Sequence, residues 1–246
     1  MKVVGIIPAR YGSSRFPGKP LAMIKGKTMI QRVCEQAWKS KLDAVVVATD
    51  DIRIADEVLQ FGGKYVMTDP RHQSGTDRCC EALEILEEQY DAVINIQGDE
   101  PFIDPKHIDL LVDMISRDDT KLASLVKRID NEEELFSSNK VKVVMDKSGN
   151  ALYFSRNPIP YMRNVAREKW LKKGRFFQHL GIYAYKAEAL RQIATMQPSA
   201  LELAESLEQL RWLENGLSIR MAIVKAGSLA IDSPDDLAKA IEMAQY

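Results

Sequence analysis

The sequence predicts an α/β fold in one domain: a mostly parallel sheet with helices on both faces. Three observations predict it. Short β-branched runs alternate with amphipathic stretches of helical period through the first 120 residues. Strand, helix, strand, helix in that order implies right-handed crossovers. Finally, no linker-like stretch, internal repeat or low-complexity tract divides the 246 residues, a length that one large core can organise.

Each element has a local reason. Residues 3–7 read as a buried strand. Residues 28–41 read as a helix with Met29, Ile30, Val33, Ala37 and Trp38 on one side. A second β-branched run, 44–48, precedes a helix over 52–61 that Gly62-Gly63 stops. Residues 64–67 are a third strand. Ser74 is placed to N-cap a helix running to Tyr90, with Asp77 as a capping-box acid. Residues 91–96 form a fourth strand. Asp104-Pro105 opens a helix to Arg117. Beyond Lys121 the pattern changes. Residues 122–127, 141–145 and 151–154 are strand-like, the last two joined by the turn Lys147-Ser148-Gly149-Asn150. Residues 157–176 are irregular and basic, 177–185 are another strand, and helices follow over 187–196 and 201–215. A late strand over 218–224 and an amphipathic helix over 234–244 complete the chain. The whole of 1–246 reads as one domain with an embedded antiparallel excursion over 140–185.

Charge and composition exclude several functions. With 46% hydrophobic and 28% charged residues the chain is not disordered. A net charge of −1 gives no general electrostatic claim on nucleic acid or an anionic membrane, so neither partner is expected. The balance hides an asymmetry, since residues 1–34 carry seven bases and no acid and the rest is net −8. Something anionic is therefore expected near the N-terminus. Cys34, Cys79 and Cys80 form neither a disulfide framework nor a CxxC pair, which fits reduced thiols in a cytoplasmic protein. No signal peptide or membrane span is expected.

In open α/β sheets ligands bind beyond the carboxyl ends of the strands, and four loops there carry chemistry. PARYGSSRFPGKP, residues 8–20, combines small residues for close backbone approach with the cations Arg10, Arg15 and Lys19, a cradle for polyphosphate. Its spacing is neither Walker A nor GxGxxG. QGDEP, residues 97–101, places Asp99 as a hard oxygen ligand for Mg²⁺ shared with substrate phosphates; a turn or capping aspartate is the alternative. In IDSPDDL, Asp232 is the better second metal ligand, because Asp235 and Asp236 fit the first turn of a helix. HQSGTDR exposes a helix N-terminus at Ser74 with Arg78 one turn further in.

These loops, with VATDD, GGKYVMT, VKVV, ALYFSRNPIP, HLGIYAY and LELAESLEQLRWLENG, make the chain resemble the 3-deoxy-manno-octulosonate (Kdo) cytidylyltransferases nearly end to end. The resemblance implies a Rossmann-like sheet of the nucleotide-diphospho-sugar transferase type. It implies transfer of CMP from CTP to the anomeric 2-hydroxyl of Kdo, with release of pyrophosphate, for lipopolysaccharide assembly. Arg10, Arg15 and Lys19 would hold the CTP phosphates and, with Asp99, form the catalytic set. Ala9, Ser74 and Gln97 would border the nucleotide, with Arg78 near them. Asp99 and Asp232 would share Mg²⁺. Arg156, His179, Tyr183, Glu208 and Gln209 would line the sugar site. The family is typically a homodimer paired through the excursion containing ALYFSRNPIP.

The residues agree with that chemistry. Attack at an α-phosphate needs charge neutralisation more than covalent catalysis. No convincing general base is visible, and magnesium that acidified the 2-hydroxyl would remove the need for one. A single helix over 201–215 would turn Leu203, Leu207 and Leu210 to the core and leave Glu205, Glu208, Gln209 and Trp212 on the other side. His179 and Tyr183 fall on one side of their strand. One departure from the family pattern is SLAIDSPDDL, where Val-Asp-Thr-Pro after glycines is common; it keeps Asp232. Two alternatives are the same reaction on 8-amino-Kdo, whose enzymes tend to lack the HQSG and QGDEP forms, and a nucleotide-sugar glycosyltransferase. The latter needs an Asp-x-Asp motif, where this chain has Asp99-Glu100-Pro101.

Overall fold

A computed structural model describes residues 1–12 and 16–243. Nine strands form the main sheet: β1 (Val3–Ala9), β2 (Ala44–Thr49), β3 (Lys64–Met67), β4 (Ala92–Asn95), β5 (Leu122–Arg128), β6 (Lys142–Met145), β7 (Ala151–Ser155), β8 (Phe177–Lys186) and β9 (Arg220–Val224). The path runs β9-β5-β8-β4-β1-β2-β3, and β6 and β7 hang from β8 as a hairpin. Along that path only β8 is reversed, pairing antiparallel with both β4 and β5. The expected mostly parallel sheet is present. The antiparallel region expected over 140–185 divides in two: the β6–β7 hairpin is a true excursion, whereas β8 sits in the middle of the main sheet.

The sheet is apolar on both faces. Val4, Ile6, Val93 and Tyr185 pack in one buried cluster, and Val3, Ile7, Val47 and Ile94 in another. Alternating residues of β1 thus feed opposite layers, as a strand period of two requires. The helices Met29–Ala37, Ile52–Gln60, Gly75–Ile85 and Pro105–Ile115 begin at the side-chain caps Thr28, Asp51, Ser74 and Asp104.

Three details differ from the sequence reading. Trp38 lies past the end of its helix and is 45% exposed, edge-on to Phe61. The helix from Gly75 stops at Ile85, five residues before Tyr90, and Asp91 N–H then pairs with the Lys2 carbonyl as the chain enters β4. Residues 201–215 are two helices, Ala200–Glu205 and Glu208–Glu214, separated by Ser206 in the left-handed region at φ 50°. The break changes the expected faces in part: Leu207 and Leu210 are buried as expected, but Leu203 is 69% exposed and Gln209 and Trp212 are buried.

A smaller cluster closes the C-terminal end of the sheet. Ile24 and Met29 meet Ile231 and Ala240, so the segment after the first loop packs on the segment that carries Asp232. Each such fully buried side chain contributes about 1.5–3 kcal/mol. That outweighs any contribution from a half-exposed ion pair, so apolar packing is what fixes the position of Asp232.

Candidate active site

The carboxyl ends of β1 and β4 and the start of the helix from Gly75 converge on one cleft of about 160 Å³, whose lining includes Ala9, Arg10, His72, Ser74, Arg78 and Gln97. Of the six residues expected around the nucleotide, Ala9, Arg10, Ser74, Arg78 and Gln97 thus meet in one place, and Lys19 lies outside that lining. The approach of the loops is backbone on backbone: a Cβ at Gly98 would lie 3.0 Å from the Pro8 carbonyl oxygen. The loop after β1 closes on itself, with Gly18 N–H donating to the Tyr11 carbonyl at 2.9 Å. Gly18 has φ +70°, and a Cβ there would meet the Tyr11 ring at 3.1 Å. The Arg53 guanidinium covers the same ring 3.3 Å from its centroid. Arg10 is exposed at the rim, and Arg15 lies outside the described residues.

Lys19 starts a short 3₁₀ turn directly after Gly18. Its Nζ lies 2.6 Å from Asp99 Oδ2 and 3.5 Å from Asp232 Oδ1. The cation expected on phosphates thus stands between the two acids expected on a metal. Asp99 and Asp232 are also tied through the backbone, since Ile231 N–H donates to the Asp99 carbonyl at 2.9 Å. Glu100, partly buried, accepts a hydrogen bond from the Ser228 hydroxyl, and desolvation pushes its pKa up to about 7. Among the described residues no group of three or more His, Cys, Asp or Glu could hold a metal ion.

Arg78 lines the cleft, but its guanidinium is turned to protein partners. Nη1 donates to Thr68 Oγ1 at 2.5 Å and Nη2 to Asp50 Oδ2 at 2.9 Å, and the side chain is 4% exposed. A buried pair of this kind is costly to leave half-formed, so Arg78 ties the ends of β2 and β3 to its helix. His72 Nε2 lies 2.5 Å from Glu81 Oε2.

The sugar-site candidates lie on the adjoining side. Gln97 bridges the two, donating from Nε2 to the Gly181 carbonyl at 2.9 Å. The His179 ring is 5.2 Å from the Tyr183 ring, which meets Trp212 edge-on at 5.0 Å. Burial lowers the His179 pKa to about 3, so the ring is neutral. Glu208 accepts from Thr76 Oγ1 at 2.9 Å, its Oε1 is buried without a hydrogen bond, and burial raises its pKa to about 7. Arg156 is held on carbonyl oxygens: Nε donates to Glu205, Nη1 to Ser138 and Nη2 to Ser206. It fastens the end of β7 to the helix break at Ser206. Gln209 is buried in the first turn beyond that break.

Residues 4–220 match the family model described as cytidylyltransferase. The chain is 53% identical over 245 residues to a 3-deoxy-manno-octulosonate cytidylyltransferase of Parabacteroides distasonis, covering 98% of this chain and 97% of that one. It is 48% identical to the protein of that name from Thermodesulfovibrio yellowstonii, over 96% of both chains. The chain belongs to the 3-deoxy-manno-octulosonate cytidylyltransferase family. A solved CMP:2-keto-3-deoxy-manno-octonic acid synthetase complexed with CTP superposes with a TM-score of 0.92 at 44% identity, over 99% of this chain and 98% of that one. A putative glucose-1-phosphate thymidylyltransferase from Bacillus anthracis shares the fold, with a TM-score of 0.66 at 16% identity.

Beyond the residues expected of a cytidylyltransferase, the structure brings in several that sequence reasoning missed. Asp50 and Thr68 end VATD and VMT, and their strand-end positions were the available signal. Glu100 adjoins Asp99 in QGDEP, whereas Ser228 had no signal. Thr76, Ser124 and Glu205 act through long-range contacts that no local pattern announces.

Proposed function

We propose that this cytidylyltransferase transfers CMP from CTP to the anomeric 2-hydroxyl of Kdo, giving CMP-Kdo and pyrophosphate. The observation that carries this is identity of about half over nearly the full length of relatives so named, on a fold whose strand ends form the cleft described above. Ala9, Ser74 and Gln97 border the nucleotide, Arg10 and Lys19 face its phosphates, and the sequence assigns Arg15 the same role. His179, Tyr183, Glu208 and Gln209 border the sugar, with Arg156 at its edge. CTP and Kdo are the partners.

The donors at Asp99 and Asp232 fit Mg²⁺: two carboxylates already converge on one cation, the Lys19 ammonium, and magnesium takes one or two carboxylates together with substrate phosphates. Bound there, the metal supplies Lewis-acid neutralisation of phosphate charge. Lys19, released from the two acids, faces the pyrophosphate side, where negative charge grows as the bond to the α-phosphate breaks. The neutral, buried His179 and the aromatic wall of Tyr183 and Trp212 orient the sugar and keep water from the α-phosphate.

The product enters lipopolysaccharide assembly, and the protein works in the cytoplasm as a homodimer. No helix among the described residues is long and apolar enough to cross a membrane. Leu152 and Tyr161, 60% and 75% exposed in and beside the β6–β7 hairpin, support pairing through that segment. A pyrophosphate-release assay tests the reading. Release is expected with CTP, Kdo and Mg²⁺ together, with little when UTP replaces CTP or when 8-amino-Kdo or neuraminate replaces Kdo. No Mg²⁺-dependent release with CTP and Kdo overturns it.

A further inference from the structure

Ser124 lies in β5 opposite Tyr183 of β8, where the register of that antiparallel pair shifts between Leu180 and Tyr183. Such a shift disrupts the ladder locally, and carbonyl groups there need other donors. The Ser124 hydroxyl is fully buried, with Oγ 2.8 Å from the Ile182 carbonyl oxygen and 3.2 Å from that of Leu180. The same oxygen lies 3.0 Å from His179 Nε2.

A hydroxyl carries one proton, and carbonyl oxygens only accept. If the proton pointed at Nε2, both carbonyls would face Ser124 lone pairs with no hydrogen between them, in a site without solvent. If it points at a carbonyl, the Ser124 oxygen becomes an acceptor, and Nε2 is the ring nitrogen that carries hydrogen. The second arrangement places a hydrogen in two of the three contacts and leaves only the longer one, to Leu180, without its own; the first places one and leaves both carbonyls without. The ring has little freedom to escape it, because Phe154 and Tyr183 flank it at 5.0 and 5.2 Å.

We propose that Ser124 is a positioning residue that holds His179 as the Nε2–H tautomer and thereby presents Nδ1 as a hydrogen-bond acceptor to the sugar. This rests on the reading that His179 borders the sugar site. A neutral acceptor selects a hydroxyl, which can donate, over a carboxylate, which cannot. His179 therefore reads the polyol of the substrate, and its carboxylate is held elsewhere.

Two-bond ¹H–¹⁵N correlation spectra of the full-length protein read the tautomer directly, and the chain has only three histidines to assign. The expected spectrum shows Nε2–H at His179 from about pH 6 to 8, with no titration of the kind an exposed histidine gives. In S124A the Nδ1–H form gains population and KM for Kdo rises about tenfold, equivalent to the loss of about one hydrogen bond, while KM for CTP stays unchanged. An Nδ1–H ring in the wild type overturns the proposal, as does an S124A protein with either the tautomer or the sugar KM unchanged. If S124A fails to fold, the wild-type spectrum decides. If the wild type does not turn over CTP and Kdo, the proposed function falls, and the spectra still report the tautomer.

Discussion

On the proposed nucleotide side of the cleft, Ala9 closes a strand, Ser74 caps a helix, and Gln97 and Asp99 follow a strand. On the proposed sugar side, Arg156 stands on the carbonyls of residues 138, 205 and 206, Glu208 is held by Thr76, and His179 is held by Ser124. Residues of the first kind stand at the end of a strand, directly after one, or at the start of a helix, positions their own segment marks. Residues of the second kind are placed by one another across separations of 18 to 132 positions. The first side should therefore lose chemistry when altered and keep its fold. The second should lose fold and sugar affinity together.

The largest effect tests the first half of that contrast. Asp99→Asn is expected to lower kcat by more than about 100-fold, a scale that even outer partners of metal ligands reach, with an unchanged thermal melt. A near-normal rate would remove Asp99 from the metal site. Next, Arg156→Ala is expected to cost about 2 kcal/mol of stability by freeing three carbonyls from a charged donor, and to raise KM for Kdo without moving KM for CTP. Equal movement of both KM values would merge the two sides. Glu208 gives a pH signature. Its pKa is raised from 4.5 to about 7 by burial, so folding takes up a proton between those values and stability falls as pH rises through that window. Glu208→Gln should melt above the wild type at pH above 7, by about 2–4 °C for each kcal/mol recovered, with the gap closing below pH 4.5. A gap independent of pH would refute the assignment. The smallest effect is Ser199→Ala, which removes a complete capping box from the helix Ala200–Glu205. A loss of about 1 kcal/mol in denaturant titration is expected, with both KM values intact.

The same contrast explains what was legible in the sequence. β1, β2 and β4 could be read because each is a short apolar run rich in Val or Ile, and β3 because Gly62-Gly63 stops the helix before it, and the loops after β1 and β4 carry small residues next to fixed charges. The break at Ser206 could not. Nothing in LELAESLEQLRWLENG interrupts helical period, and the chain kinks there because Arg156, some 50 positions earlier, takes the Glu205 and Ser206 carbonyls. Trp212 was expected on the wrong face for the same reason. Arg78 was expected near the nucleotide and lines the cleft, but its partners Asp50 and Thr68 stand at strand ends that only the sheet brings near. Lys19 was expected on phosphates, and its partners in the structure are the two acids Asp99 and Asp232.

The reversed strand β8 also bears on how the protein is made. Its residues lie between β4 and β5 in space yet leave the ribosome about fifty positions after β5. Until then β4 is an open edge, and β5 has no partner from the first half of the chain. The N-terminal strands can pair early, but the molecule cannot be finished from that end alone. A nascent chain stalled near residue 150 exposes an unpaired strand edge, the feature that invites association with another chain, so synthesis of the second half is also what protects the first.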